Sequence, residues 1–317
     1  MVARTSLGVD KALTRFAILN RNPEGVYIAD MVLPKIGVMG RTGKLYTVNS
    51  GFRFASPSQG LKRLGGSAFK RFSMGVAQSD VYNLEEYGNE FPVDDIDAEF
   101  AGDDSVNLRE AAAILAVEQF QIEREREAAA LLFSGSVITQ TAALGSGDRW
   151  DDAGVDPRAN VETAVQTIQL ATGLPRARVS LLVGQQVADK LVRNDALMQF
   201  FRAGNPGVTM ASLPQVASAM GIREVIVGGA VANSAVEGQT ASNGYIWGKS
   251  ACFFYREESP IPMAPRGTGF TFHRSGYDLK VERYREEPRA EIVLASALED
   301  RVITAANTAY LFTTAVN

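Results

Sequence analysis

Catalysis and metal binding need groups that ionise, ligate or attack near neutral pH. This chain of 317 residues holds one histidine, His273, and one cysteine, Cys252. A zinc site, a Ser-His-Asp triad or a Cys-His dyad would each depend on one of those two residues. Cys252 lies in an apolar strand-like run and reads as a small buried side chain. His273, in Phe270-Thr271-Phe272-His273, reads as a structural residue of a strand. Asp148, Asp151, Asp152 and Asp156 gather around Trp150. A calcium loop needs alternate acidic ligands and a glycine at its sixth position, which this spacing lacks. A loop whose last aspartate caps the next helix fits better. Gly228-Gly229 and Gly145-Ser146-Gly147 match neither glycine-rich phosphate-binding spacing. The sequence therefore supplies no catalytic, metal or cofactor set, and no cofactor is expected.

The pattern that does stand out is a separation of charge. Between Met31 and Ser79 there is no Asp or Glu and there are eight Lys and Arg; from Asp80 to Glu110 there are eleven acidic residues and a single cation, Arg109. The net charge of -4 hides that split. Blocks of like charge repel and oppose compaction, so a positive segment beside a negative one points to docking of one on the other, or on another copy. Lys44, Arg53, Lys62, Arg63, Lys70 and Arg71 alternate with Tyr46, Phe52, Phe54, Phe69 and Phe72. Such a mixture can bind single-stranded nucleic acid by charge and stacking, but the acidic neighbour would repel phosphates. A merely solvated charge run is the bland alternative; a subunit contact is the preferred reading, with Glu85, Glu86, Asp94 and Asp95 as the acidic counterpart.

The elements that must carry these residues follow from pattern. Lys44–Val48 alternates in strand fashion, Phe69–Met74 can form a second strand, and the Gly/Ser-rich stretch between them makes a long hairpin. An isolated two-stranded hairpin is marginal in water, so it needs a surface to lie on. Before it, residues 1–33 read as an arm: a short helix at Lys11–Leu19, a turn at Asn22–Gly25, then extended chain. Asn107 caps a long helix, Leu108–Phe133, with Glu110 completing a capping box and Gly135 beyond its end. Leu108, Ala111, Ala112, Leu115, Ile122, Ala129 and Phe133 form its apolar face, while the waist Glu123–Glu127 is charged on all sides and is expected to meet solvent or a neighbour. Asp156-Pro157 opens another helix, ending at Gly173. Then come a buried strand Val179–Val183, helices Gln185–Arg193 and Leu213–Met220, and strands Glu224–Val227, Tyr245–Trp247 and Cys252–Tyr255. Long strands close the chain: Tyr277–Glu286, Ala290–Ala297 and Val302–Phe312. The class is α+β. Apolar residues at 46% and charged residues at 21% describe an ordinary globular chain with no bilayer-spanning run and no secretion-signal core, expected in a cytoplasm.

In this order the parts resemble the major capsid protein of tailed bacteriophages, whose fold is shared with encapsulin nanocompartments. The stretches that carry the resemblance are Ile28–Ile36, the long helix with its Glu-Arg-Glu centre, Trp150-Asp151-Asp152 through Asp156-Pro157, Thr172–Pro175 with Val179–Val183 and Val187–Leu191, Met220–Val225 and Tyr245–Gly248. The resemblance implies an N-terminal arm (1–34), an extended β-hairpin loop (35–79), a peripheral domain (80–156 and 275–317) built on a spine helix (108–133), and an axial domain (157–274). It implies hexamers and pentamers in an icosahedral shell around double-stranded DNA, assembled in a bacterial cytoplasm and ending in the virion. The partners it implies are the chain itself, a separate scaffolding protein, a portal and a cement protein, with no membrane. Some relatives weld subunits through a Lys–Asn bond; Lys62 or Lys70 with Asn307 are conceivable partners, but no local motif supports it. A nanocompartment shell with enzyme cargo, and a nucleic-acid-binding module using the hairpin, are the alternatives. A mildly acidic chain cannot neutralise a genome, which suits a wall around DNA rather than a condensing protein.

Overall fold

The computed structural model describes residues 5–9, 27–48, 76–103, 107–204, 207, 210–235, 239–258, 267–287 and 290–317. Its largest sheet is organised by one strand. β14 (Ala290–Ile303) carries Val293, Ala295, Glu299 and Arg301 buried on one face, and it pairs along both edges. On one edge lies β5 (Glu85–Asp94); on the other lie β13 (Lys280–Glu287) and then β12 (Gly269–Arg274), all antiparallel to it. β1 (Thr5–Val9) extends the sheet beyond β13, and β2 (Lys35–Val38) extends it beyond β12 in parallel. The long helix α3 (Leu108–Leu132) follows the one-turn helix α1 (Ala29–Val32) and α2 (Asp95–Asp103), and crosses this sheet. Its small residues Ala112, Ala113, Ala116 and Val117 pack on Val93, Val281, Val293 and Ala295. Asn107 caps it, accepting the Glu110 N–H at 3.3 Å.

The second sheet has the order β6 (Thr141–Ala142), β15 (Tyr310–Phe312), β11 (Ala251–Tyr255), β7 (Val179–Gly184) and β8 (Val225–Gly228). β7 is buried at every position because both faces are covered. Val179, Leu181 and Val183 join Trp150, Val161, Ile168 and Phe253 in one core, under α4 (Pro157–Thr172), α5 (Gln185–Leu191), α6 (Asp195–Gly204) and α7 (Leu213–Met220). Leu182, Cys252 and Phe254 face the other way, onto Leu33, Leu132 and Trp247. Asp156 caps α4 and Gly173, at φ 70°, closes it in the left-handed conformation. A small hairpin, β9 (Val231–Asn233) with β10 (Asn243–Tyr245), completes the fold.

Several expectations are corrected. Residues 29–32 form a helical turn, not extended chain, because Ile28 C=O takes the Met31 and Val32 N–H groups while Ala29 and Val32 pack inward. The strand pairing with β3 (Thr42–Val48) is β4 (Val76–Asn83), so the hairpin stem includes Asp80. Phe69–Met74, Lys11–Leu19 and Asn22–Gly25 lie outside the described residues. Lys35–Val38, read as loop, is part of the large sheet. The two C-terminal strands expected at 290–297 and 302–312 are one continuous strand to Ile303, after which Tyr310–Phe312 crosses to the second sheet beside β11. Trp247 follows a strand that ends at Tyr245. Leu115 is 48% exposed, and the buried face of α3 runs instead through its alanines. α6 has no counterpart among the expected helices, although Asn194 caps it by accepting the Leu197 N–H at 3.0 Å and Leu197 and Met198 form its buried face.

Candidate subunit-contact surface

The hairpin stem leaves the body through a small apolar anchor. Leu45, Leu84, Ile36, Val38, Phe270 and Phe272 pack together, and Tyr82 stacks on Phe272 with centroids 4.8 Å apart. Backbone bonds fix the exit: Leu84 N–H donates to Arg41 C=O at 2.8 Å, and Asn83 N–H to Asp300 Oδ2 at 2.7 Å. Burial pushes the Asp300 carboxyl above the usual range, with the Asn83 N–H pulling against it.

Beneath this exit is an ion-pair network that sequence reasoning missed. Arg124, at the waist of α3, is buried and grips Glu299 with two parallel bonds, Nε to Oε1 at 3.1 Å and Nη2 to Oε2 at 2.7 Å. It also reaches Asp278 Oδ1 at 3.3 Å and Asp30 Oδ2 at 3.6 Å. Lys35 bridges the same two aspartates at 3.1 and 3.0 Å. Arg301 pairs with both Glu299 and Glu127. Arg124 is held above the usual arginine value: its own burial opposes the shift, and Glu299, Asp30 and Asp278 overcome it. The network therefore ties α1, β2, the waist of α3, the turn before β13 and the far end of β14 at the point where the hairpin springs out. The charged waist faces inward at Arg124 and Glu125; only Glu123 and Arg126 remain exposed there, paired with each other at 3.3 Å. The available signal was the alternation of β14, which sets Glu299 and Arg301 on the same face as Val293 and Ala295.

Glu125 is fully buried and accepts the Ala29 N–H at 2.5 Å and the Trp247 indole N–H. Burial pushes its carboxyl up to about 7, against the pull of those donors. One side chain thus joins the arm's entry, the long helix and the second sheet. Trp247 is fixed in turn by glycines. A Cβ on Gly184 would stand 1.8 Å from its carbonyl oxygen, and one on Gly228 would stand 2.2 Å from its ring. Gly228 is therefore a packing residue.

Of the contact residues read from sequence, Lys44, Glu85, Glu86 and Asp94 are exposed. Arg53, Lys62, Arg63, Lys70 and Arg71 lie outside the described residues. Asp95 is engaged within its own chain, by Arg285 at 3.0 Å and Arg109 at 3.4 Å. The remaining chemical candidates have structural surroundings. Cys252 is buried, and burial pushes its thiol up to about 12, too high for a thiolate near neutrality. His273 is half-buried on β12, and its Nδ1 has no hydrogen-bond partner among the described residues. Asp152 accepts the Gly147 and Arg149 N–H groups at 2.8 and 3.0 Å and an Asn317 side-chain N–H at 3.1 Å, tying down the last residue. Among the described residues no group of three or more His, Cys, Asp or Glu is placed to hold a metal, and no helix is long and apolar enough to cross a membrane. A cleft of about 440 Å³ beside the waist, walled by Tyr87, Gln119, Glu123, Arg126 and Asn233, has its charges in opposite pairs and so no net field for a charged small ligand.

A six-stranded sheet braced by one long helix, a second sheet under short helices, and a hairpin leaving their seam together define the class: this is the fold of phage capsid proteins. A phage-related protein from Bordetella bronchiseptica RB50 superposes with a TM-score of 0.72 at 21% identity, over 99% of this chain and 98% of that one. The capsid structure of cyanophage P-SCSP1u gives a TM-score of 0.59 at 12% identity, over 90% and 87%. No protein-family model matches the sequence. In sequence, the chain is 26% identical over 273 residues to the major capsid protein of Pseudomonas phage JBD67, spanning 84% of this chain and 82% of that relative.

Proposed function

We propose that this chain is the major capsid protein of a tailed bacteriophage. It assembles as hexamers and pentamers into an icosahedral shell that encloses double-stranded DNA, and its place is the virion. The observation that carries this reading is the relation to the JBD67 major capsid protein across most of both chains, on a capsid fold. Its role is structural: the buried charged groups of the interior are ion pairs that hold a loop's point of departure, not a set of reacting groups. The arm is 1–34, and the other divisions follow the two sheets: the peripheral domain takes β2 from the loop range (35–79) and β12 from the axial range (157–274), and the axial domain takes β6 and β15 from the peripheral range (80–156, 275–317). The loop of one copy lies across the body of another, with Lys44, Arg53, Lys62, Arg63, Lys70 and Arg71 facing carboxylates that include Glu85, Glu86 and Asp94. A scaffolding protein, a portal and a decoration protein are its further partners. Purified protein, alone or coexpressed with its scaffold, should give closed shells tens of nanometres across by electron microscopy; a persistent monomer under every such condition would refute the proposal.

A further inference from the structure

Glu125 sits where neither ionisation state is fully at ease. Its oxygens are divided between two partners: Oε1 accepts the Ala29 N–H at 2.5 Å and Oε2 the Trp247 indole N–H. Both partners only donate, an arrangement that suits a carboxylate. Both also belong to an apolar cluster with Leu33, Leu132 and Cys252, and a charge inside such a seam lacks water. No cation offsets it. Among the described residues Glu125 has no lysine or arginine at ion-pairing distance: Arg124 is engaged by Glu299, Asp278 and Asp30, and Glu127 of the same helix holds Arg301. From α1, Asp30 adds a like charge. The ionisable members of the cluster are the Cys252 thiol, which burial keeps neutral, and at its rim the Tyr27 phenol. Burial outweighs the donors and lifts the Glu125 carboxyl to about 7, so its proton comes and goes near neutrality.

What this side chain holds is the root of the hairpin. Asp30 of α1 pairs with Lys35 at 3.0 Å, and the carbonyls of Leu33 and Pro34 take the Thr271 hydroxyl at 3.2 Å and the Thr271 N–H at 3.1 Å. β2 follows at once, and its Ile36 and Val38 pack with Leu45 and Leu84 at the base of the stem. Lifting Ala29 from Glu125 therefore works on the anchor from which the stem departs. We propose that Glu125 is a proton-controlled latch, which clasps α1 to α3 and to the second sheet while protonated and lets α1 loosen as it ionises. A protonated carboxyl keeps acceptor capacity on its carbonyl oxygen, so the clasp survives protonation. A carboxylate instead favours any opening that brings water into the seam. The direction follows from linkage. The closed form holds a proton up to about pH 7, while a freed carboxyl releases it above 4.5. Opening is favoured about tenfold for each pH unit between those values, and no further above them.

The two tryptophans of the chain supply the probe. The indole N–H resonances of the unassembled full-length subunit are followed by NMR from pH 5 to 8.5, with Trp247→Phe identifying the Trp247 signal. In parallel, amide hydrogen exchange of residues 28–33 is measured by mass spectrometry and corrected for the intrinsic rise of exchange with pH. The Trp247 signal should titrate with a midpoint near 7. The Trp150 signal should stay still, since its N–H is buried without an acceptor among the described residues. Protection of 28–33 should fall about tenfold per pH unit from pH 5 to 7 and level off above. Glu125→Gln should abolish both dependences. A Trp247 signal that does not titrate, or that titrates equally in Glu125→Gln, overturns the latch. Protection that ignores the titration also overturns it, because the carboxyl would then ionise without releasing α1. If Glu125→Gln folds poorly, Asp30→Asn replaces it: removing the like charge should move the Trp247 midpoint to lower pH, and an unmoved midpoint counts against the assignment. Neither measurement needs shells, so a subunit that never assembles would fail the proposed function and leave the latch to be decided by these two readouts.

Discussion

Replacing Glu299 by alanine removes the one carboxylate that two buried guanidiniums share. Glu299 is 1% exposed and Arg124 is 2% exposed, joined by two bonds at 3.1 and 2.7 Å, with Arg301 on the same carboxylate. Breaking a buried pair by deleting one partner costs about 3–5 kcal/mol, since the other charge stays desolvated. Arg124 would keep Asp278 and Asp30, and Arg301 would keep Glu127, so the loss belongs at the lower end, about 3 kcal/mol. For a chain of 317 residues, at about 2.1 cal/mol/K of unfolding entropy per residue, a loss of that order lowers the melting temperature by roughly 4–5 °C. The assay is a thermal melt of the unassembled subunit by far-UV circular dichroism, repeated at high salt. Screening barely reaches a buried pair, so the deficit should persist in salt. A second consequence concerns the hairpin: Asp300, the next residue, holds the Asn83 N–H, so Glu299→Ala should also depress assembly more than its melting shift alone would. A shift below about 1 °C would refute the reasoning, because it would mean that the outer carboxylates suffice and the shared one is dispensable.

Two further outcomes are expected. Glu125 has its carboxyl raised from 4.5 to about 7 in the folded state, so the native form holds a proton that the unfolded form has already lost. Its contribution is full below about pH 4.5 and is lost as pH rises to about 7, a change of about 3 kcal/mol. Glu125→Gln should flatten the pH dependence of denaturation midpoints across that window, and an unchanged slope would show that another group titrates there. Gly184→Ala drives a methyl into the Trp247 carbonyl, an overlap that requires backbone movement and should cost at least about 1–3 kcal/mol in urea unfolding. A variant that unfolds like the wild type would mean that the Trp247 turn yields more readily than its packing implies.

Local signals were legible where they act over a few residues. Asn107 and Asp156 announce their helices because a cap is a contact three residues long, and Gly173 ends α4 because only glycine relaxes at its positive φ. The burial of β7 and β11 on both faces was legible as continuous apolar runs. What failed were assignments that depend on a distant partner. Leu115 and the alanines of α3 sit on nearby faces, and only the sheet beneath decides that the alanines pack against it. The single long β14 was divided in two because polar Glu299, Asp300 and Arg301 look like a break until Arg124 is placed beside them. The waist of α3 looks like a surface for solvent or a neighbour for the same reason: an arginine is buried only if its carboxylate arrives from 175 residues away.

By itself the sequence determined the α+β class, the shortage of reactive side chains and the separation of charge, since these are sums and local periods along one chain. It could not say which acidic residues are spent inside the subunit and which are free. Asp95 and Asp94 are adjacent in sequence and identical in type, yet one is paired with Arg109 and Arg285 and the other stands on the open face. That difference is made by alternation across a sheet whose register is set by β14, and register is a property of the folded molecule. The tertiary structure thus divided one acidic run between an internal ion pair and an exposed strand face, because an ion pair depends on proximity in space.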